Sequence, residues 1–145
     1  MSERTIRSII EGRQPVIAGV ATTVMQAAQA MREANVGAIM VVDDNRLVGV
    51  FTERDALFRV AAHGLDAKTS TLAEVMTREP QTIAPDCHFA QALQMMHDGK
   101  FRHVPVVEHD GCVVGMVSAR DALGPELEGF VYELLRQEQV NEVLA

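Results

Sequence analysis

Two short stretches combine a glycine, a hydroxyl and a carboxylate at one fixed spacing. The first is Gly49-Val50-Phe51-Thr52-Glu53-Arg54-Asp55 and the second is Gly115-Met116-Val117-Ser118-Ala119-Arg120-Asp121; each runs on into Ala-Leu. Each follows an apolar run, so each reads as the end of a strand, a hydroxyl residue and the first turn of a helix. A helix start presents unpaired backbone N–H groups and the positive end of a dipole, which suits an anion. A carboxylate in that first turn can accept hydrogen bonds from a pair of hydroxyls. The chemistry on offer is capture of an anion beside a pair of hydroxyls, at two equivalent corners or at one kept and one lost. The same residues also fit a capping box, in which Thr52 with Asp55, and Ser118 with Asp121, only satisfy helix-end N–H groups. Either motif alone leaves both readings open. Their repetition, in matching context, is what favours a ligand.

The elements around the two corners repeat as well. Placing Pro15 on Pro80, an offset of 65 residues, also sets Arg13 on Arg78, Gln26 on Gln91, Ala27 on Ala92, Met31 on Met96, Val41 on Val106 and Val42 on Val107. One residue inserted in a turn shifts the offset to 66, and Val48 then falls on Val114, Gly49 on Gly115, Arg54 on Arg120, Asp55 on Asp121 and Leu57 on Leu123. A single gap placed in a turn, with agreement on both sides, marks a duplication.

Each repeat predicts one order of elements. A short apolar helix comes first, Ile6 to Glu11 and Leu72 to Met76, the latter opened by a capping box of Thr71 and Glu74. A proline-marked extended piece follows, Pro15 to Ala18 and Pro80 to Ala84. An amphipathic helix is next. In the first repeat it is capped by Thr22 or Thr23, buries Val24, Ala27, Ala28 and Met31, and ends at Asn35. In the second, Asp86 caps it, Phe89, Ala92, Leu93 and Met96 form the apolar face, and Gly99 ends it. Two β-rich runs then form a hairpin, Ala38–Val42 with Leu47–Phe51 and Val104–Val107 with Val113–Val117, joined by turn-forming residues 43–46 and 108–111. The corner and a closing helix complete the unit, from about Asp55 to Ala62 and Gly64 in the first copy. Gly124-Pro125 breaks the second copy early. The expected organisation is a first repeat over 1–64, a linker over 65–70, a second repeat over 71–124, and a C-terminal helix and tail over 125–145. In that helix Leu127, Phe130, Val131, Leu134 and Leu135 form a stripe expected to pack on the body of this chain or a partner. A unit of about 55 residues cannot bury both faces of so small a sheet alone. The fold class expected is α+β, two β-α-β-β-α repeats packed sheet to sheet with pseudo-twofold symmetry, the corners facing clefts between them.

Composition bounds the function. The 145 residues carry a net charge of −7, which argues against a general nucleic-acid or anionic-membrane surface. Hydrophobic residues make up 48%, enough for a core, but aromatics only 4%, so Val, Ile, Leu, Met and Ala must build it. No apolar run approaches a membrane-spanning length, and the opening MSERTIRSII lacks a signal-peptide core, so a cytoplasmic protein is expected. Two cysteines, Cys87 and Cys112, make no disulfide framework, and with His88 and His103 they match no zinc spacing. Small buried thiols are expected and no metal site.

The repeat architecture and the Gly-x-x-Thr/Ser-x-x-Asp corner closing each repeat closely resemble a tandem pair of cystathionine-β-synthase (CBS) domains, a Bateman module. The resemblance covers roughly Ile6 to Leu123 and includes Arg102-His103-Val104-Pro105-Val106-Val107 as the second-strand signature and Pro80-Gln81-Thr82-Ile83 as the lead-in segment. It implies binding of an adenine nucleotide (AMP, ADP or ATP) or S-adenosylmethionine, with no further cofactor required. It also implies a role for each matching residue. Asp121 would take the ribose hydroxyls, Ser118 and Arg120 would face the phosphate, and the backbone around Ile83 with Val104 and Pro105 would hold the adenine. Thr82, Arg102 and His103 would line the same pocket. In the first repeat Asp55, Thr52 and Arg54 match the sugar and phosphate positions, and Ile17, Ala18, Val36, Gly37 and Ala38 the base pocket. That repeat departs from the pattern: Gly37-Ala38 stands where the second has Arg102-His103, Met40 replaces Pro105, and Glu53 puts an anion beside the expected phosphate. The second-repeat site therefore ranks first.

No nucleophile–base pairing, Walker-type phosphate loop or metal spacing is present in the sequence, which points to a non-catalytic regulatory module. A homodimer and an unidentified target protein on a separate chain are the partners expected. The competing readings are a ligand-free structural dimerisation module, a small nucleotide hydrolase working in the cleft, and a redox or metal sensor acting through Cys87 and Cys112.

Overall fold

The computed structural model describes residues 4–124 and 132–139. The first half runs α1 (Ile6–Ile10), β1 (Ile17–Gly19), α2 (Val24–Ala34), β2 (Ala38–Asp43), β3 (Arg46–Thr52) and α3 (Glu53–Asp55), which passes into a π-helical stretch over Ala56–Ala61. The second half runs α4 (Leu72–Val75), β4 (Thr77–Arg78), α5 (Phe89–Gly99), β5 (His103–Val107), β6 (Val113–Ser118) and a 3₁₀ turn over Ala119–Leu123. Strands β1 to β4 form one sheet in that order; β5 and β6 form the other. The duplication is kept in the register. Ala18 pairs in parallel with Val41, and Ile83 makes the equivalent parallel bridge to Val106.

The two halves exchange their opening helices. Ile6 and Ile10 of α1 are buried with Ile83, Phe89, Ala92, Met96, Val104, Val106 and Val117, the core of the second repeat. Leu72 and Val75 of α4, with Met76, are buried with Val24, Ala27, Met31, Ile39, Val41, Phe51 and Val60, the core of the first. The backbone records the same exchange. The N–H groups of Ile6 and Arg7 donate to the carbonyls of Cys87 and Pro85, and those of Leu72 and Ala73 donate to Thr22 and Val20, all within 2.8–3.1 Å. The first-turn N–H groups of each short helix therefore find partners in the opposite repeat. At roughly 1.5–3 kcal/mol for each fully buried large apolar side chain, the exchanged residues supply a substantial part of both cores.

The glycines that open the two corners make this possible. A Cβ at Gly115 would lie 3.2 Å from three atoms of Ile10, and one at Gly49 would lie 2.5 Å from the sulfur of Met76 and 3.0 Å from the carbonyl oxygen of Thr77. Each glycine is thus the seat on which the other repeat's opening helix rests.

Several local expectations are corrected. Thr23 rather than Thr22 caps α2, in a full capping box with Gln26. Ala28 is exposed; the buried face is Val24, Ala27 and Met31. Helix α5 begins after His88, not Asp86: the His88 N–H donates to Gln91 Oε1 at 3.0 Å in the capping position, while Asp86 pairs with Arg7 at 3.2 Å outside the helix. It ends on Lys100 in the left-handed conformation, one residue past Gly99, while Asn35 closes α2 in that conformation as expected. The Thr71 side chain makes no cap on α4, since Thr22 and Val20 already accept from that turn. The first closing helix covers the expected stretch in a less regular form, three residues of α-helix turning to π over Ala56–Ala61; in the second copy a 3₁₀ turn covers Ala119–Leu123. Cys87 and Cys112 are half-buried free thiols. Of the C-terminal stripe, Leu127, Phe130 and Val131 lie outside the described residues. Residues 132–139 are helical and exposed throughout, Leu134 and Leu135 included, so this part does not pack on the body of its own chain.

Candidate ligand-binding cleft

A cleft of about 750 Å³ opens between the repeats. The first repeat contributes Arg13, Gln14, Pro15, Val16, Val36, Gly37, Ala38, Met40 and Glu53; the second contributes Arg102, His103, Gly115, Met116, Ser118, Ala119, Arg120, Asp121 and Leu123. One wall is thus largely apolar and the other carries cations and a carboxylate. Pro15 and Val16 arrive on the lead-in to β1, Val36 to Ala38 on the turn into β2, Arg102 and His103 at the start of β5, and Ser118 to Asp121 at the end of β6.

Asp121 is the anchor of the polar wall, with a side chain only 11% exposed. The N–H of Ser118 donates to its Oδ2 at 2.9 Å, which is the capping arrangement predicted from spacing. Arg13 adds a two-pronged contact from the first repeat: Nη2 lies 2.6 Å from Oδ1 and Nη1 3.2 Å from Oδ2. The Arg4 guanidinium donates to the Asp121 carbonyl at 2.9 Å. Both cations flank α1, so the exchanged helix is tied to the corner at its two ends.

His103 faces both signs of charge. Burial pushes its pKa below the ordinary value; the Glu53 carboxylate pulls it back, Arg102 and Arg120 push it further down, and Asp121 raises it. Glu53 reaches this place because Gly37 has no side chain: a Cβ there would overlap the Glu53 carboxylate. The Glu53 N–H also donates to the Gly37 carbonyl at 3.0 Å.

Asp55, the twin of Asp121, has a different fate. It is buried, its Oδ2 accepts from the Thr52 N–H at 3.1 Å, its carboxylate accepts from the Thr77 hydroxyl at 3.2 and 3.3 Å, and Arg59 Nε lies 3.2 Å from Oδ1. Thr52 Oγ1 accepts from the Asp55 N–H at 3.1 Å, closing the capping box. Here the structural role foreseen as the alternative is fully realised.

Of the residues carried over from the resemblance, Arg102, His103, Ser118, Arg120 and Asp121 meet in this cleft, joined by Gly37 and Ala38 of the other repeat. Thr82, Ile83, Val104 and Pro105 do not line it. The Ile83 backbone is already committed to sheet pairing, its N–H to the Pro105 carbonyl and its carbonyl to the Val107 N–H, both at 3.0 Å, while Val104 and Pro105 are fully buried and Thr82 is exposed elsewhere. Thr52, Arg54, Asp55, Ile17 and Ala18 also lie outside it; Arg54 stacks over the Phe58 ring at 5.5 Å. The pairing of apolar and polar walls is therefore crossed: the carboxylate of the second repeat faces the apolar surface of the first. Glu53, assigned from sequence to the neighbourhood of Asp55, faces His103 instead. Arg13 went unassigned, since its only mark in the sequence is alignment with Arg78, whose guanidinium does something different and donates to the Ala73 carbonyl at 2.7 Å.

The sequence profile of the CBS domain matches residues 6–62 and 72–125. The chain belongs to the CBS-domain family. It is a CBS pair with α+β architecture, and its relatives show how widely the pair is used. The meiotically up-regulated gene 70 protein of Schizosaccharomyces pombe is 37% identical over 114 residues, which is 78% of this chain and only 16% of that relative's length. The CBS domain protein PAE2072 of Pyrobaculum aerophilum, solved in complex with AMP, superposes with a TM-score of 0.74 at 27% identity, covering 81% of this chain and 88% of that one. The CBS domain pair of protein MJ0100, solved with 5′-methylthioadenosine and S-adenosyl-L-methionine, gives a TM-score of 0.75 at 26% identity, covering 88% and 98%. Among the described residues, no group of three or more His, Cys, Asp or Glu side chains is placed to hold a metal ion, and no helix is long and apolar enough to cross a membrane.

Proposed function

We propose that this CBS pair is a non-catalytic regulatory module that binds an adenosine-containing ligand (AMP, ADP, ATP or S-adenosylmethionine) in the cleft between its repeats and signals to a partner protein. The observation that carries the reading is the composition of the cleft. Asp121 offers a carboxylate to a diol, Arg102 and Arg120 line the same cleft and offer cations to a phosphate, and Val16, Val36, Ala38 and Met40 offer an apolar wall to a base. The AMP complex of one structural relative and the adenosyl complexes of another support the ligand class. A ligand that touches both repeats shifts their relative arrangement only by as much as it prefers one arrangement over another, and that preference is the signal a partner would sense.

Isothermal titration with AMP, ADP, ATP and S-adenosylmethionine tests this. The expected result is saturable binding that weakens about tenfold to a hundredfold or more in Asp121→Ala, since a carboxylate–hydroxyl bond is worth about 1.5–3 kcal/mol and each 1.4 kcal/mol is tenfold. Unchanged affinity in the variant would reduce Asp121 to a cap. A second reading, a ligand-free dimerisation module, draws on the commitment of Asp55 to internal contacts and on the exposed Leu57 and Phe58 beside it, 57% and 53% exposed. A homodimer that forms with no response to any of these ligands would favour it.

A further inference from the structure

We infer that Arg13 makes the cleft discriminate phosphorylated from unphosphorylated adenosine ligands, by passing its guanidinium from the Asp121 carboxylate to the ligand's phosphate. The inference rests on the adenosine reading of the cleft and deepens it.

The Asp121 carboxylate is already occupied. Asp121 Oδ1 is engaged by Arg13 Nη2 at 2.6 Å, and Oδ2 by Arg13 Nη1 at 3.2 Å and the Ser118 N–H at 2.9 Å. A carboxylate offers about four lone-pair sites, so three are in use, and Arg13 takes one on each oxygen. A diol needs that pair and docks only when Arg13 leaves. Arg13 is placed so that it can leave. Its side chain is 49% exposed, and it follows Gly12, which holds φ at +77° with no atom within 4 Å of its would-be Cβ. A fork held from a half-exposed position beside an uncrowded glycine can turn without disturbing the core.

Arg102 and Arg120 also line the cleft, so a released guanidinium joins like charges. The Glu53 carboxylate, which lines the same cleft, already acts on His103. A phosphate offers Arg13 the same planar, two-pronged geometry that the carboxylate gave it. A nucleotide therefore exchanges one bidentate pair for another. Adenosine breaks the pair and leaves the guanidinium unpartnered among cations. The selection lies in that difference.

Titration of the full chain with AMP and with adenosine, in wild type, Arg13→Ala and Arg13→Lys, tests the exchange. Arg13→Ala should bind adenosine about three- to tenfold more tightly than wild type, because the carboxylate is uncovered at the loss of a half-exposed ion pair. The ratio of AMP to adenosine affinity should fall by about tenfold or more, as one charge-assisted phosphate contact is gone. Arg13→Lys retains the charge without the fork and should fall between, which also guards against a variant that merely folds poorly. The inference is overturned if the ratio is unchanged in Arg13→Ala, or if both ligands weaken by one common factor, since Arg13 would then only fix the lead-in segment. AMP binding that depends on Asp121 with an unchanged ratio sinks this inference and leaves the proposed function standing. Silence of both ligands on every variant sinks both.

Discussion

Replacing Gly49 by alanine tests whether the exchanged helices rest on the corner glycines. The added Cβ would stand 2.5 Å from Met76 Sδ, 2.9 Å from its Cγ and 3.0 Å from the Thr77 carbonyl oxygen. A flexible thioether would normally swing away, but Met76 is 4% exposed and packed within the first core. The carbonyl has less freedom, since β4 pairs with β3 through Gly49–Arg78 and Val50–Thr77. Either α4 lifts from its seat or the strand pairing opens. Overpacking of this kind costs about 1–3 kcal/mol, and the stiffer unfolded chain returns roughly 0.5–1 kcal/mol of that. A net loss of ~1–2 kcal/mol is expected. Urea unfolding followed by circular dichroism reads it as a midpoint lower by on the order of 0.5–1 M at unchanged slope. Gly19→Ala is the control, because no atom lies within 4 Å of its would-be Cβ. Combining Gly49→Ala with Met76→Ala should cost less than the sum of the two, as the new methyl enters the space vacated. A Gly49→Ala protein that unfolds at or above the wild-type midpoint would refute the reasoning.

Asp55→Ala should lower stability by about 2–4 kcal/mol while leaving AMP affinity unchanged, because its buried carboxylate holds the Thr52 N–H and the Thr77 hydroxyl, with Arg59 adding little from a half-exposed position; an AMP affinity lost with Asp55 would place the ligand in the wrong cleft. His103 predicts a pH dependence. Its folded pKa lies below the ordinary 6.5, so the unfolded chain takes up the proton first and the stability present above 6.5 is lost as pH falls through and below that value. Glu53, Asp121, Arg102 and Arg120 all act on it, so the comparison is wild type against His103→Asn, whose unfolding midpoints should converge on acidification. Parallel curves for the two proteins would remove His103 as the cause.

The duplication was legible because it is written in residue identity. Pro15 and Pro80, Gly49 and Gly115, Asp55 and Asp121 align with a single gap, and the amphipathic spacing of Val24, Ala27 and Met31 needs only the helical period to be read. Half of the cleft was legible for the same reason: Asp121, Arg120, Arg102 and His103 stand in motif context. The crossing of the halves was not. The apolarity of Ile6 and Ile10 says that they will be buried, and nothing in their spacing says beneath which sheet. Once α1 and α4 trade places, the lead-in segment carrying Arg13 is delivered to the opposite corner, and the apolar surface of one repeat meets the carboxylate of the other. The fates of Asp55 and Asp121 diverged for a related reason. Each sits in an equivalent capping box, but Thr77 reaches one and Arg13 the other, and these partners are not equivalent in the alignment. The helix that follows the first corner was visible in its spacing, whereas the π-helical form it takes over Ala56–Ala61 has no marker in its sequence.

The traded helices also set an order of events during synthesis. Ile6 and Ile10 are made early, yet the strands that cover them, ending at Val117, leave the ribosome roughly a hundred residues later. At ~5–20 residues per second that is a wait of several seconds, during which α1 has no core to enter. The first repeat is likewise short of Leu72, Val75 and Met76 until the second has begun to emerge. The first core is complete once Met76 has emerged and the second only after Val117, so the first repeat can close ahead of the second, and the cleft exists only once the last strand is in place.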